Sequence, residues 1–146
     1  MDGETMWRDD RDLGGAPEGL DALTVADRLK TDGGVGVFIA RDYGRMGEFV
    51  QAFGFFSKDI EVVEFPAWDC LPYDRLSPTS SVSAERMAAL TRLARREPLD
   101  RRPLLVVTTV GAAMQRTPPR EITEAAGFEA VTGTELDTSQ LERYFA

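Results

Sequence analysis

Three prolines stand close together in the middle of the chain, in the segment 65–78, which reads FPAWDCLPYDRLSP. Each proline fixes its own φ, lacks a backbone donor and disfavours a helical conformation in the residue before it. Neither a helix nor a central strand can therefore run through this segment. The large apolar side chains among the prolines are Phe65, Trp68, Leu71 and Tyr73. The sequence predicts an ordered loop that these side chains pin to a core.

The net charge of the chain limits which classes of partner it can bind. The chain of 146 residues has 25 acidic and 17 basic side chains, which gives a net charge of −8. A phosphate backbone repels such a surface, because nucleic-acid binding normally depends on an excess of Lys and Arg. We therefore expect little or no direct DNA binding. The hydrophobic share of 42% is ordinary for a soluble globular domain.

Histidine is absent, and Cys70 is the one cysteine. Ser-His-Asp and Cys-His catalysis are therefore excluded, and a zinc site of the usual kind cannot be assembled. A single cysteine allows no internal disulfide and fits a reducing compartment. The apolar runs are too short for a membrane span, and the acidic N-terminus is unlike a signal peptide. We expect a cytoplasmic protein with no membrane contact.

Hydrophobic periodicity predicts alternating helices and strands. Apolar residues at i, i+3, i+6 and i+9 favour a helix over 17–30 with Pro17 in its first turn, ended by Gly33 and Gly34. Short apolar runs favour strands over 35–40, 60–65 and 103–110. Two further apolar stripes predict helices. One consists of Met46, Phe49, Val50 and Phe53, and the other consists of Val82, Met87, Leu90, Leu93 and Ala94. This order is typical of βαβ units in an α/β fold.

The two ends of the chain differ from its middle. Residues 1–12 are charged and aperiodic, and we interpret them as a leader. Residues 127–131 favour one more strand, and Asp137 with Gln140 has the spacing of a capping box that opens a terminal helix. The chain stops inside that helical pattern, so we expect it to be a fragment of a longer protein.

A segment with two critical glycines precedes the first helix. Residues 14–21, GGAPEGLD, have the spacing of a phosphate loop, with Gly14 and Gly19 at its glycine positions. Leu20 stands at the lysine position and Asp21 at the hydroxyl position. Leucine supplies no charge to a phosphate, and an aspartate there places an anion beside an anion. No acidic pair for magnesium follows the strand 103–110 either. On spacing alone, an unrelated turn before a helix is the favoured interpretation.

Basic residues cluster between positions 86 and 120. A possible interaction surface consists of Arg92, Arg95, Arg96, Arg101, Arg102, Arg116 and Arg120. For Arg86 and the arginines of this set that precede Arg116, we favour a solvated helix end with cations near the helix C-terminus. The alternative is a patch that binds a partner protein or, weakly, the DNA backbone. Arg116 and Arg120 follow a strand and are expected to brace the passage into the next domain.

The order of these features resembles the N-terminal region of the bacterial transcription-repair coupling factors (Mfd). The shared pieces are a strand over 60–64, the loop 65–78, a helix with an ER-M-x-x-L pattern over 85–93, and a strand leading into a TTV-x-A-x-x-QR-x-P-P-like element over 104–119. The resemblance covers the chain from about Gly15 to the C-terminus.

This resemblance implies a UvrB-like module with an eroded nucleotide site. The implied fold is a partial RecA-like (degenerate P-loop NTPase-like) parallel sheet flanked by helices over 13–121, with the start of a second small α/β domain over 122–146. UvrB-like proteins insert a tyrosine-rich hairpin into DNA at the position of residues 65–81, and the short proline loop cannot form such a wedge.

The resemblance also implies a function. The module is expected to be a non-catalytic scaffold that helps recruit UvrA, mainly through the next domain, to stalled RNA polymerase. Intramolecular contacts with the rest of the coupling factor are expected to help regulate its C-terminal ATPase motor. ATP and magnesium are expected only at that motor, so we expect no cofactor in this chain.

Two other functions stay open. A nucleotide-binding P-loop-like enzyme would bind ATP in a magnesium-dependent way despite Leu20, and a small DNA-binding module would show salt-sensitive duplex binding. Trp68 and Tyr73 could stack on bases, but without a basic groove a packing role is favoured. Asp69 and Asp74 are expected on opposite sides of an extended segment, so no catalytic carboxylate pair is predicted.

Overall fold

Helices and strands alternate through the described part of the chain, which in this computed structural model comprises residues 14–15, 17–70, 77–126, 132–133, 135, 137–139 and 142. The helices are α1 (Leu20–Asp32), α2 (Tyr43–Phe56), α3 (Ser80–Ala94), α4 (Val110–Ala113) and α5 (Arg120–Ala126), and the strands are β1 (Val35–Ala40), β2 (Glu61–Phe65) and β3 (Leu104–Thr109). Within these residues, no helix combines the length and the apolar character that crossing a bilayer requires.

β3 lies in the middle of a three-stranded parallel sheet whose order is β1-β3-β2. Val106 of β3 is level with Val37 on one side and with Val63 on the other. All six residues of β3 are buried, which explains its continuous apolar and β-branched sequence. The structure confirms the predicted α/β fold with a parallel sheet flanked by helices.

One face of the sheet is covered by α1 and α2. The ring of Phe49 stacks on that of Phe38 with 3.5 Å between centroids, and Phe53 lies 5.9 Å from Phe49. Gly36 of β1 lies beneath Leu29, and a Cβ at this glycine would come within 3.0 Å of the leucine side chain. Glycine at this position lets α1 approach β1 closely, and a larger residue would displace the Leu29 side chain by a few tenths of an ångström.

The other face of the sheet packs against α3 and α4. The buried side chains of this second cluster are Val63, Phe65, Ala89, Leu104, Val106 and Ala112. α5 then packs on the outside of α3. This short helix spans the predicted domain boundary between residues 121 and 122, and that boundary stays a prediction. The predicted leader 1–12 and the predicted strand 127–131 lie outside the described residues.

Two element boundaries differ from the predictions. α1 begins at Leu20, three residues after Pro17, because Gly19 adopts a left-handed conformation with φ of 87° and the carbonyl of Pro17 closes a turn with the Leu20 amide at 3.1 Å. Pro17 is therefore not in the first helical turn. Val110 belongs to α4 and not to the strand before it, since Thr109 Oγ1 accepts a hydrogen bond from the Ala112 amide and ends β3.

The buried face of α3 was predicted wrongly in part. Met87 is 39% exposed, whereas its neighbour Arg86 is 1% exposed. The apolar stripe at helical spacing assigns a charged residue to solvent, but here the helix turns that residue inward and Met87 outward. Asp137, the predicted cap of a terminal helix, accepts at Oδ1 a hydrogen bond of 2.9 Å from the Ser139 amide. Gln140 lies outside the described residues, so the capping box and its helix stay predictions.

Replacement of Phe49 by alanine is expected to lower the free energy of unfolding by about 3–5 kcal/mol, because it empties a fully buried site between two other rings. Phe55 is a matched control on the same helix, since its side chain is 79% exposed. Phe55→Ala should change stability by about 0.5 kcal/mol or less. Urea denaturation of both variants measures the difference, and equal effects would contradict this account of the core.

Candidate functional site

The glycine loop and the carboxyl end of β1 form a cleft of about 690 Å³, called here the glycine-loop cleft. Its lining residues are Gly15, Pro17, Glu18, Gly19, Asp21, Phe38, Ile39, Ala40, Arg41, Arg45 and Glu48. Ligands of α/β sheets commonly bind at the carboxyl ends of the strands. The structure therefore places the candidate phosphate loop at an end of the sheet where such sites occur, and Leu20 opens the helix beside it.

An ion pair occupies the polar side of this cleft. Arg45 Nη2 contacts the carboxylate of Asp21, and Arg45 Nη1 lies 3.7 Å from Glu48 Oε2. The side chains of Arg45 and Asp21 are 25% and 27% exposed, so the pair is partly shielded from water. Arg45, a cation of this cleft, is therefore already bound by the aspartate that stands at the hydroxyl position of the phosphate-loop pattern.

Asp42 fixes the start of the helix that carries Arg45. Its Oδ1 accepts a hydrogen bond of 2.8 Å from the Arg45 amide and so caps α2. This bond is the main reason why the pKa of Asp42 lies below its ordinary value, with Arg41 as a further cause. Arg45 is not among the residues predicted from the sequence, although its position three residues after a capping aspartate places it in the first turn of a helix.

The second notable arrangement surrounds Arg86, at the carboxyl ends of β2 and β3. Its guanidinium carbon lies 4.2 Å from the ring centroid of Phe65 and 4.3 Å from that of Trp68. Both distances are within the range of cation–π contacts. Burial lowers the pKa of Arg86 from its ordinary value, yet a guanidinium stays charged at every physiological pH.

Hydrogen bonds hold the same guanidinium against the proline loop. Arg86 Nη1 donates to the carbonyl of Pro66 at 2.5 Å and to Gln115 Oε1 at 3.1 Å. Gln115 Oε1 also accepts from the Trp68 amide at 2.9 Å. Arg86 Nε is buried without a partner among the described residues, so the aromatic faces and two acceptors are what balances this charge.

Two further contacts tie down the loop that follows β2. The Tyr43 hydroxyl accepts from the Ala67 amide at 2.6 Å, and the Asp69 carboxylate accepts from the Thr79 amide at 3.1 Å. The side-chain contact with Thr79 lowers the pKa of Asp69. The prediction of an ordered, pinned loop is confirmed for residues 65–70. Leu71, Tyr73 and Asp74 lie outside the described residues, and Asp69 has a structural partner.

The basic residues do not form one solvated surface. Arg86 and Arg96 are 1% and 9% exposed, so the interpretation as a solvated helix end is wrong for these two. Arg96 Nη2 donates to the carbonyl of Asp100 at 3.1 Å and also contacts the carbonyl of Arg102. Its burial is possible because backbone carbonyls of the turn after α3 accept its donors.

Other members of the predicted interaction surface are engaged within the chain. Arg92 bonds both carboxylate oxygens of Glu61 at 2.5 and 2.6 Å. Arg102 pairs with Asp100 at 2.8 Å. Arg120 Nη2 donates to the carbonyl of Arg96 at 2.9 Å, which joins α5 to the end of α3.

The remaining arginines of that surface differ in exposure. Arg101 and Arg116 are exposed, whereas Arg95 is half-buried and has interactions of its own. Among the described residues, no group of three or more His, Cys, Asp or Glu side chains is placed to hold a metal ion. No protein-family model, curated protein or solved structure matches this chain.

Arg86→Lys is expected to lower the free energy of unfolding by about 2–4 kcal/mol, because an ammonium cannot stack on two rings and reach both acceptors as a planar guanidinium does. Arg41→Lys is the matched control, since the Arg41 side chain is 82% exposed. In a Trp7→Phe background, Trp68 is the only tryptophan, and its native emission should shift to the red in Arg86→Lys alone. Equal stability and emission in both variants would contradict the role given to Arg86.

Stability is expected to fall as the pH drops below about 4. Hydrogen bonds from Arg45, Arg92 and Thr79 lower the pKa of Asp42, Glu61 and Asp69, respectively. A carboxyl group with a lowered pKa stabilises the folded chain above its unfolded pKa, and this contribution is lost as the pH falls through the folded pKa. Urea midpoints should therefore be lower at pH 3 than at pH 7, with a smaller difference in Asp69→Asn. A midpoint that rises on acidification would refute this expectation.

Proposed function

We propose that this chain is a non-catalytic scaffold, the N-terminal UvrB-like module of a transcription-repair coupling factor. The main observation that supports this proposal is the ion pair of Asp21 and Arg45 in the glycine-loop cleft. In an active phosphate loop, a lysine and a hydroxyl act where this chain has Leu20 and Asp21. A nucleotide would bring several negative charges to a cleft already lined by Glu18, Asp21 and Glu48.

The fixed loop after β2 also supports a scaffold. Residues 65–70 are anchored by Arg86, Gln115 and Tyr43, which belong to three different parts of the chain. A loop that is held this firmly presents the same shape to every partner, and pre-organised surfaces lose less conformational entropy on binding. The loop therefore suits protein contact better than it suits opening a duplex.

In this proposal, the partial RecA-like sheet belongs to domain 1A, and a second small α/β domain starts near residue 122. The module helps recruit UvrA, mainly through that second domain, to RNA polymerase stalled in the cytoplasm. It also helps to restrain the C-terminal ATPase motor of the same protein by intramolecular contacts. Arg101 and Arg116 are two exposed arginines of the predicted interaction surface and are the candidates for such contacts.

Calorimetric titration with purified UvrA tests the proposal, with this chain and with a longer version that continues beyond residue 146. We expect UvrA to bind the longer version and to bind this chain more weakly or not at all. Absence of binding to both would contradict the recruitment role. Arg116→Glu in the longer version, compared with Arg41→Glu, tests whether an exposed arginine of the interaction surface contributes.

A separate titration tests the absence of nucleotide binding. Mg-ATP should give no heat with this chain, because Arg45 is engaged by Asp21 and the loop carries no lysine. Leu20→Lys alone should not create tight binding, since the magnesium-binding hydroxyl would still be missing. Saturable, magnesium-dependent binding to the unmodified chain would show that the cleft is an active nucleotide site.

A further inference from the structure

A groove runs along the outer edge of β2, where α3 crosses the strand. Its volume is about 420 Å³, and its lining residues are Val62, Val63, Glu64, Glu85, Ala88, Ala89 and Arg92. Ala88 and Ala89 are the helical residues in the middle of this set. Because their side chains are small, space stays open between the helix and the edge of the strand.

The outer edge of β2 presents backbone groups that can form hydrogen bonds. Among the described residues, β2 pairs with β3 alone, so one side of the strand has no neighbour. An unpaired edge presents a row of N–H and C=O groups. An extended peptide can add to such an edge and place alternate side chains in a flanking groove. A free strand edge beside an open groove is the geometry that this mode of recognition needs.

Charges at the groove distinguish one kind of peptide from another. At the start of β2, Glu61 is neutralised by Arg92 through two hydrogen bonds. Towards the end of the strand, Glu64 and Glu85 have no cationic partner among the described residues, and Glu85 accepts only a hydrogen bond of 3.0 Å from Ser81 Oγ. The groove is therefore apolar in its middle and anionic at one end.

We propose that this groove binds an extended segment of a partner protein in which apolar and basic side chains alternate. Side chains of a strand point alternately to the two faces of its sheet. Apolar residues of the added strand would lie on the α3 side against Ala88 and Ala89, and its basic residues would lie on the other side near Glu64. The backbone of β2 supplies the hydrogen bonds, and the carboxylates select the sequence.

A second copy of this chain fits the same edge poorly. Pairing of β2 with β2 would bring the Glu64 carboxylate, which has no cationic partner among the described residues, close to that of the other copy, and like charges on adjacent strands destabilise a sheet. Charged side chains on an edge strand are a common protection against such self-pairing. The occupant must therefore carry the opposite charge.

The probe is an acetylated seven-residue peptide in which valine alternates with lysine, and its counterpart has glutamate in place of lysine. Titration into the isotopically labelled chain, followed by amide NMR shifts, locates the binding site. We expect the lysine peptide to shift the amides of residues 61–65 and 85–92 and to bind at least tenfold more tightly than the glutamate peptide. This preference should weaken in high salt.

Three variants test the groove itself. Glu64→Lys should weaken binding of the lysine peptide about tenfold, because it replaces attraction by repulsion next to the added strand. Ala88→Trp should weaken binding by a similar factor by filling the groove. Glu97→Lys makes the same charge change at an exposed position outside the groove and should leave the affinity unchanged. Circular dichroism checks that all three variants are folded before titration.

The outcomes separate clearly. Selective shifts at β2 and α3 that are lost in Glu64→Lys and in Ala88→Trp would support the proposal. Equal binding of both peptides, or no shifts at residues 61–65, would overturn it. Shifts confined to β1 would also overturn it, since they would show that an apolar edge and not this groove accepts the strand. If sedimentation showed a dimer that Glu64→Lys disrupts, the occupant of the groove would be a second copy of this chain, and the proposal of a partner protein would be wrong.

Discussion

The burial of β3 on both faces and along both edges is the constraint on which the rest of the structure depends. β1 and β2 pair with β3 and not with each other, so neither edge strand belongs to the sheet without it. The two hydrophobic clusters meet at this strand, since Leu105 and Val107 point to one layer and Leu104 and Val106 to the other. The end of the strand is equally constrained: Thr108 Oγ1 donates to the carbonyl of Phe65 at 2.8 Å and so fixes where the proline loop begins.

The elements that follow from local periodicity could be predicted from the sequence, and those that depend on distant partners could not. The buried strand β3 and the helical stripe of Met46, Phe49 and Phe53 could be predicted from the hydrophobic period of the sequence alone. The burial of Arg86 depends on its acceptors in Pro66 and Gln115, which are 20 and 29 residues away in the sequence. No local pattern indicates that an arginine will be buried between two rings. The same applies to Arg45, whose importance depends on Asp21 in another helix.

The glycine-loop cleft combines the glycine spacing of a phosphate loop with side chains that a phosphate loop does not have. Gly19 keeps the left-handed backbone that ends the loop, with φ of 87°, and a side chain at this position would be strained. The charged groups have other tasks: Asp21 joins α1 to α2 through Arg45, and Asp42 caps α2. Of the carboxylates that line the cleft, Asp21 therefore already holds the two helices together. The loop positions could be predicted from the sequence, whereas this reuse of Asp21 could not.

The two edges of the sheet differ in a way that bears on specificity. Val35, Val37 and Ile39 of β1 are 48%, 62% and 53% exposed, and that strand carries no charge. An apolar edge of this kind does not discriminate between one apolar strand and another. β2 carries Glu61 and Glu64, and α3 adds Glu85 beside it, so a strand that approaches β2 must match a charge pattern as well as a backbone. In the proposed scaffold role, partners would be selected through such surfaces, and in the described part of this chain the groove between β2 and α3 combines a strand edge with a charge pattern.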